Sequence, residues 1–220
     1  MKAYHDCPKK REARKVTLCD AWRGLSGLDS VPQGLQYWTL SGPLGSKGEV
    51  DPSSELGQVL RSGVIEPSQY HGVDFDRETF ELNEALVART YGEGPRLYHG
   101  SMAEILDRTL TRGGLRPAIV NLDTLYQPAK AVELLGSVLD TLNQTNGFVM
   151  VVLNVILGQK HRGVGYASDL IWKEAEANSY CNAQLLNGSW LRVPSQYTYE
   201  GTGQASRTTM GTQIFYRLAA

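Results

Sequence analysis

Three glycines, a run of acidic strand ends and one basic cluster are the residues of this chain whose types and spacing could hold a ligand. Gly42, Gly45 and Gly48 recur within SGPLGSKGEVD. Without a Cβ, such positions let a chain turn sharply or let a backbone approach a bound group closely. The segment YHGVDFD supplies Asp74 and Asp76. An aspartate just after a strand either caps the next helix or offers two oxygens to donors on a ligand. Further on, NLDTLY places Asn121, Asp123 and Tyr126 close together: an amide, an acid and an aromatic ring. Lys160, His161 and Arg162 lie between glycines. They would attract a phosphate-bearing substrate or simply stand as solvated loop charge. Other chemistries are excluded by spacing. Gly45–Ser46–Lys47–Gly48 lacks both the spacing and the hydroxyl residue after lysine that a P-loop needs. No H-x-x-x-H, nucleophile elbow or paired set of zinc ligands is present.

The elements that must position these residues follow from hydrophobic periodicity. Five stretches read as strands that each run into a helical pattern: Leu35–Ser41, Tyr70–Asp74, Arg96–His99, Pro117–Leu122 and Gly147–Val155. Two more, Ala183–Arg192 and Thr212–Leu218, have no helix between them. Repeated strand–helix units closed by a hairpin specify a mostly parallel sheet with an antiparallel end, and ligands of such sheets sit at the carboxyl ends of the strands. The near-continuous apolar runs RPAIVNLDT and GFVMVVLNVIL mark the centre of the sheet. Helices are expected over Ser53–Ser62, with Asp51 as N-cap, and along the stripes Phe80–Val87, Met102–Leu110 and Val132–Leu142. A further helix is expected over Ala167–Ala177.

Residues 1–24 combine an apolar stripe, Val16, Leu18, Cys19 and Trp22, with a basic face. They predict an amphipathic helix, either a packing element or an arm that contacts nucleic acid. The whole chain of 220 residues suits one domain with a core of its own. A net charge of −1 gives no global attraction to nucleic acid or anionic membrane, so such a partner would need a local basic patch. The longest apolar run, Phe148–Leu153, is far shorter than the roughly 20 residues that span a bilayer. Together with an N-terminus lacking an apolar leader, this predicts a soluble, cytoplasmic protein. Cys7, Cys19 and Cys181 match no zinc pattern and are expected as free thiols.

The order of elements resembles the class I S-adenosylmethionine-dependent methyltransferase fold, which ends in an antiparallel hairpin as inferred here. The resemblance covers roughly Leu35 to Leu218. It implies a three-layer, Rossmann-like sheet of seven strands, mostly parallel, with helices on both faces. It also implies S-adenosylmethionine as cofactor, held over Ser41, Gly42, Gly45 and Gly48, with Asp74 accepting hydrogen bonds from both ribose hydroxyls and Asp76 in reserve. Ser101 and Met102 would lie near the adenine. At the end of the fourth strand, Asn121 and Asp123 would orient the methyl acceptor or take its proton. Tyr126, Lys160, His161 and Arg162 would contact the acceptor, a nucleic acid or a small molecule. The chain departs from the family in two places. The usual acidic residue opening the glycine loop is replaced by Leu40–Ser41, and the Asn121–Tyr126 segment lacks the two prolines found in enzymes that methylate base amino groups.

Two other classes compete. An NAD-dependent dehydrogenase would need a tighter G-x-G-x-x-G and no terminal hairpin, and the chain has the opposite on both counts. A methyltransferase-like domain without catalysis, serving as a binding or scaffolding module, is favoured by the two departures. The glycine loop, Asp74 and Asp123 gathered round one cleft favour the enzyme.

Overall fold

The computed structural model describes residues 34–45, 48–113, 117–145, 147–158, 166–193, 198–203 and 206–218. The expected N-terminal helix and the loop carrying Lys160, His161 and Arg162 lie outside the described residues. Strand β1 (Gln36–Leu40) leads through a loop into helix α1 (Glu55–Arg61). Next come β2 (Tyr70–Asp74), α2 (Arg77–Tyr91), β3 (Arg96–His99), α3 (Met102–Gly113), β4 (Ala118–Asp123) and α4 (Pro128–Leu142). The remainder is β5 (Val149–Ile156), α5 (Tyr166–Ala177), α6 (Ser179–Asn187), β6 (Leu191–Arg192), β7 (Thr198–Gly203) and β8 (Ser206–Arg217).

The sheet order is β3-β2-β1-β4-β5-β8-β6, with β7 also paired to β8. Strands β1 to β5 are mutually parallel, and β8 runs antiparallel between β5 and the outer segments. Segments β6 and β7 pair with successive stretches of β8, at Leu191↔Tyr216 and Thr198↔Gly211, so they form one interrupted outer strand. Among the described residues the sheet therefore has seven strand positions, mostly parallel, with the expected antiparallel end. The Rossmann-like architecture of the sequence reading is present.

Two expectations about the elements are corrected. Ala183–Arg192 is not a strand. Its first part belongs to α6, where Asn178 caps by accepting a hydrogen bond from the amide of Cys181, and where Cys181 and Leu185, one turn apart, are buried. Ala, Gln and Leu favour helix, and only Leu191–Arg192 reaches the sheet. The helix expected from Ser53 starts later because Asp51 is occupied in a turn. Its Oδ1 accepts from the amide of Ser53 at 2.7 Å, and Ser54 caps α1 instead.

Each face of the sheet carries its own core. On one side α3 to α6 cover Trp38, Val120, Leu122, Val151, Leu153 and Phe215, with Ala131, Leu135, Val138, Leu139 and Leu142 of α4 supplying the inner stripe. On the other, α1 and α2 contribute Leu56, Val59, Leu86 and Val87 against Tyr37, Tyr70, Ile119, Met150 and Val152. Close packing of α6 on α4 depends on Gly136, where a Cβ would lie 2.9 Å from the ring of Tyr180. Burial pushes the Cys181 thiol up to about 12, so it packs as an apolar group.

An aromatic row crosses three strands. The rings of Trp38 and His71 stack at 4.1 Å, and the Tyr98 hydroxyl sits 3.2 Å from Nδ1 of His71. Burial, with a smaller contribution from Arg96, lowers His71 from 6.5 to about 4. The folded state thus binds this proton less readily than the unfolded chain does. The stability held above pH 6.5 should fall as pH drops toward 4, by about 3 kcal/mol at most. Urea unfolding at several pH values checks this. His71→Phe, which keeps the stack, should flatten the profile over that window.

Candidate functional site

The carboxyl ends of β1, β2 and β3 form one continuous edge. Leu40 is in register with Val73 and Asp74 with His99, while the amide of Ser41 donates to the carbonyl of Val73 at 2.9 Å. The amide of Gly100 donates in turn to the carbonyl of Asp74 at 3.0 Å, and its φ of 140° is one that glycine tolerates. Ser41–Gly42, Asp74 and His99–Gly100 thus share a rim. Gly72 lets the rim close up, since a Cβ there would fall 2.7 Å from Leu97 and 2.9 Å from Oγ of Ser41.

The three glycines expected to act together are separated. Asn83 of α2 is buried and grips the loop with both ends of its amide. Its Nδ2 donates to the carbonyl of Gly42 at 3.1 Å, and its Oδ1 accepts from the amide of Leu44 at 2.9 Å. Lower down, the amide of Val50 donates to Thr90 at 3.1 Å, and Arg89 donates to the carbonyl of Gly48. Asn83 and Arg89 are six residues apart, about 9 Å along a helix axis. Gly48 therefore lies against the last turn of α2, away from the rim. Gly45 is folded back, with its would-be Cβ against the carbonyl of Glu49. Gly42 is exposed at the rim, and a Cβ placed there meets nothing within 4 Å among the described residues. Space for a ligand's approach is thus found at Gly42. Gly45 and Gly48 shape the loop.

The two aspartates after β2 have separate tasks. Asp76 caps α2, accepting from the amide of Thr79 at 2.8 Å, which holds its carboxyl below the usual range. Asp74 accepts from the amide of Asp76 through Oδ1, and Oδ2 meets no donor among the described residues. Burial raises its carboxyl above the ordinary value, opposed in part by that hydrogen bond. Between them Phe75 is 80% exposed, an apolar ring left in water beside the half-buried acid. Of the segment after β3, Met102 is 1% exposed within the core, so its side chain packs there and does not line the rim. Ser101 is partly exposed, and its carbonyl accepts from the amide of Ile105 in the first turn of α3.

At the end of β4 the polar residues also divide. Asn121 is 1% exposed, with Nδ2 donating to Oε1 of Glu55 at 2.8 Å and Oδ1 accepting from Asn154 at 3.1 Å. Its amide is turned into the protein, which corrects the expectation of direct contact with an acceptor. Asp123 stands half-buried at the strand's end, in register with Asn154. The turn beyond it is closed by Thr124, whose hydroxyl donates to the carbonyl of Asn154 at 2.8 Å. Leu125 and Tyr126 follow, 65% and 41% exposed, with Nζ of Lys130 4.2 Å from the centre of the tyrosine ring. Trp190 is buried and donates to Asn143 at 2.6 Å.

No protein-family model matches the sequence, and no curated protein does. Solved structures do match. M. jannaschii TYW2 in complex with AdoMet superposes with a TM-score of 0.51 at 5% identity, over 90% of this chain and 75% of that one. The precorrin-6y C5,15-methyltransferase of Geobacter metallireducens GS-15 gives 0.50 at 11% identity, over 99% and 92%. The fold is that of the class I methyltransferases. The rim described here begins at the end of β1, whose pairing with β4 is where the strand order reverses, the topological switch point at which open α/β sheets bind ligands.

Two residues of this methyltransferase-fold site escaped the sequence reading. Asn83 left a faint signal, a polar residue on the apolar face of α2 between Phe80 and Leu86. Glu55 left none, since an acid in a helix's first turn is ordinary dipole chemistry. Yet Glu55 is buried, and its Oε1 accepts from Tyr37 at 2.5 Å and Thr39 at 2.7 Å as well as from Asn121. The described residues hold no group of three metal-ligating side chains, and no described helix is long and apolar enough to cross a membrane. Asn83→Ala removes one buried and one half-buried hydrogen bond at about 1 kcal/mol each and leaves the buried amide of Leu44 without a partner. It should lower stability by roughly 2–4 kcal/mol in urea unfolding. Amide exchange at Leu44 should accelerate beyond the global change, because the loop loses its anchor.

Proposed function

We propose that this chain, as a single domain, is an S-adenosylmethionine-dependent methyltransferase. The observation that carries the reading is the Asp74 carboxylate, raised by burial and held by one oxygen, facing the rim beside the unobstructed backbone of Gly42. A carboxylate with an oxygen to spare suits a ribose diol, which presents two donors. Phe75 gives the adjacent base a ring to stack on. Ser41, Gly42, Asp74 and Ser101 hold the nucleoside part, with Gly45 and Gly48 shaping the loop behind them. When bound, the cofactor supplies a methyl group activated on a sulfonium.

The acceptor lies at the end of β4. Asp123 orients its nucleophile or receives its proton, and Tyr126 with Leu125 offers an apolar wall against a planar group. Lys160, His161 and Arg162 extend this reading toward a phosphate-bearing acceptor, a nucleic acid or a small molecule. The two neighbours in their titles point to different enzymes, TYW2 and a precorrin methyltransferase, so the fold supports no choice between acceptors. The inward amide of Asn121 favours a second reading, a cofactor-binding module without turnover.

Calorimetric titration with S-adenosylmethionine and S-adenosylhomocysteine tests the first step; binding of neither overturns the proposal. Asp74→Asn keeps the hydrogen bond from the Asp76 amide and relieves the buried charge. It should therefore melt no lower than wild type while binding S-adenosylhomocysteine about tenfold more weakly or worse.

A pH dependence follows with a definite sign. Binding needs the ionised form of Asp74, whose value in the free protein is raised above 3.8. Affinity should be full well above that raised value and decline as pH falls through it, and the decline should vanish in Asp74→Asn. Radiolabelled methyl transfer to DNA, RNA and cell extract then assigns the acceptor. Asp123→Ala should spare cofactor binding and abolish labelling, whereas binding without labelling in wild type favours the second reading.

A further inference from the structure

We propose that Glu55 is a positioning residue that fixes the cofactor half of this site relative to the acceptor half. The inference rests on the methyltransferase reading above. A line of buried hydrogen bonds crosses the sheet in one direction. Thr212 of β8 donates to Oδ1 of Asn154 at 2.5 Å, Asn154 donates to Oδ1 of Asn121 at 3.1 Å, and Asn121 donates to Oε1 of Glu55 at 2.8 Å. From the other side, Thr39 and Tyr37 of β1 donate to the same oxygen. Every one of these side chains is buried.

The chemistry of the end group gives the line its sense. A pair of amides can be written with either end donating, and a hydroxyl can turn either way. A carboxylate only accepts, so with Glu55 in place each donor must face it. The amides of Asn121 and Asn154 are thereby locked in one orientation. Both halves of the proposed pocket hang from this line. Thr39 leads through Leu40 to Ser41 and Gly42, the cofactor rim. Asn121 is on the same strand face as Asp123, and the carbonyl of Asn154 accepts from both the amide and the hydroxyl of Thr124. Substrate touches none of these buried groups. They set where the groups that touch it stand.

The chain has no acid on β1 at the opening of the loop, where Thr39, Leu40 and Ser41 stand. Helix α1 brings one from the side, 2.7 Å from the hydroxyl of Thr39. An aspartate at position 39 would replace one donor by a carboxylate within reach of the Asn121 amide, whose Nδ2 lies 3.4 Å from Oγ1 of Thr39, and that relocation is the decisive variant.

The experiment measures S-adenosylhomocysteine affinity by calorimetry and melting temperature by calorimetric scan, with side-chain amide NMR of Asn121 and Asn154. Glu55→Gln should fold, weaken binding at least about tenfold, and give doubled or shifted amide signals for both asparagines. Thr39→Asp in the Glu55→Gln background should restore affinity to within about threefold of wild type. Thr39→Val and Tyr37→Phe each remove one donor to the same buried oxygen, so both should lower the melting temperature, and Thr39→Val, whose hydroxyl sits two residues from Ser41, should also weaken binding. A purely structural Glu55 predicts instead that melting falls and affinity stays. Wild-type affinity in Glu55→Gln, or no recovery in the relocated variant, overturns the inference. If Glu55→Gln does not fold, Thr39→Val decides, and wild-type affinity there overturns it equally. Wild type that binds neither cofactor form removes the methyltransferase reading itself. Tight wild-type binding with an indifferent Glu55→Gln removes this inference alone.

Discussion

One carboxylate oxygen, Oε1 of Glu55, joins a helix to two strands of the sheet, and much of the site's geometry depends on that junction. Burying a carboxylate costs several kcal/mol, and it is tolerated here because three donors converge on it from β1 and β4. The cost runs both ways. Without an acceptor at that point, two hydroxyls and an amide would be stranded between α1 and the sheet, each at about 1–3 kcal/mol. The short helix α1, only Glu55–Arg61, is thus held by polar satisfaction as well as by Leu56 and Val59. Its place over the diverging strands is specific, where a purely greasy contact could slide.

A second constraint acts on the loop that joins β1 to α1. Asn83 and Thr90 reach up from α2 and bind the loop's backbone at Gly42, Leu44 and Val50. Buried backbone groups that lack strand or helix partners must find them elsewhere, and here two side chains of the neighbouring helix provide them. The described parts of the glycine-rich segment, at Gly42, Leu44 and Val50, are consequently held as a ledge. It leaves open backbone at Gly42 and takes Gly45 and Gly48 into its own turns.

The architecture was legible because it is written in periodicities. Apolar continuity marked β4 and β5 as central, and the absence of a helix after β6 foretold the antiparallel end. That an acid closes the apolar strand β2 at Asp74 was legible in the same way. What could not be read is the direction of individual side chains. Asn121 looked like an acceptor-binding amide because it sits at the right strand end, yet strand alternation turns it toward α1, where Glu55 takes its donor. Met102 failed likewise: helix phase buries it. The Ala183–Arg192 stretch was misread because Ala-Gln-Leu-Leu supports helix as readily as strand, and the cap that decides, Asn178, lies outside the apolar run. Long-range polar pairs such as Glu55–Asn121 leave no local pattern at all.

The placement of β8 between β5 and the outer segments has a kinetic corollary. Val149–Ile156 presents eight residues of backbone whose second set of partners comes from Met210–Arg217, beyond two intervening helices. As the polypeptide emerges during synthesis, the most apolar strand of the sheet has one naked edge until that distant segment arrives. Contacts of this sequence separation form slowly, and an unpaired apolar edge is a template for joining another chain. The interval between making β5 and capping it is therefore when a nascent copy is most exposed to misassembly, and it is set by topology and the speed of translation.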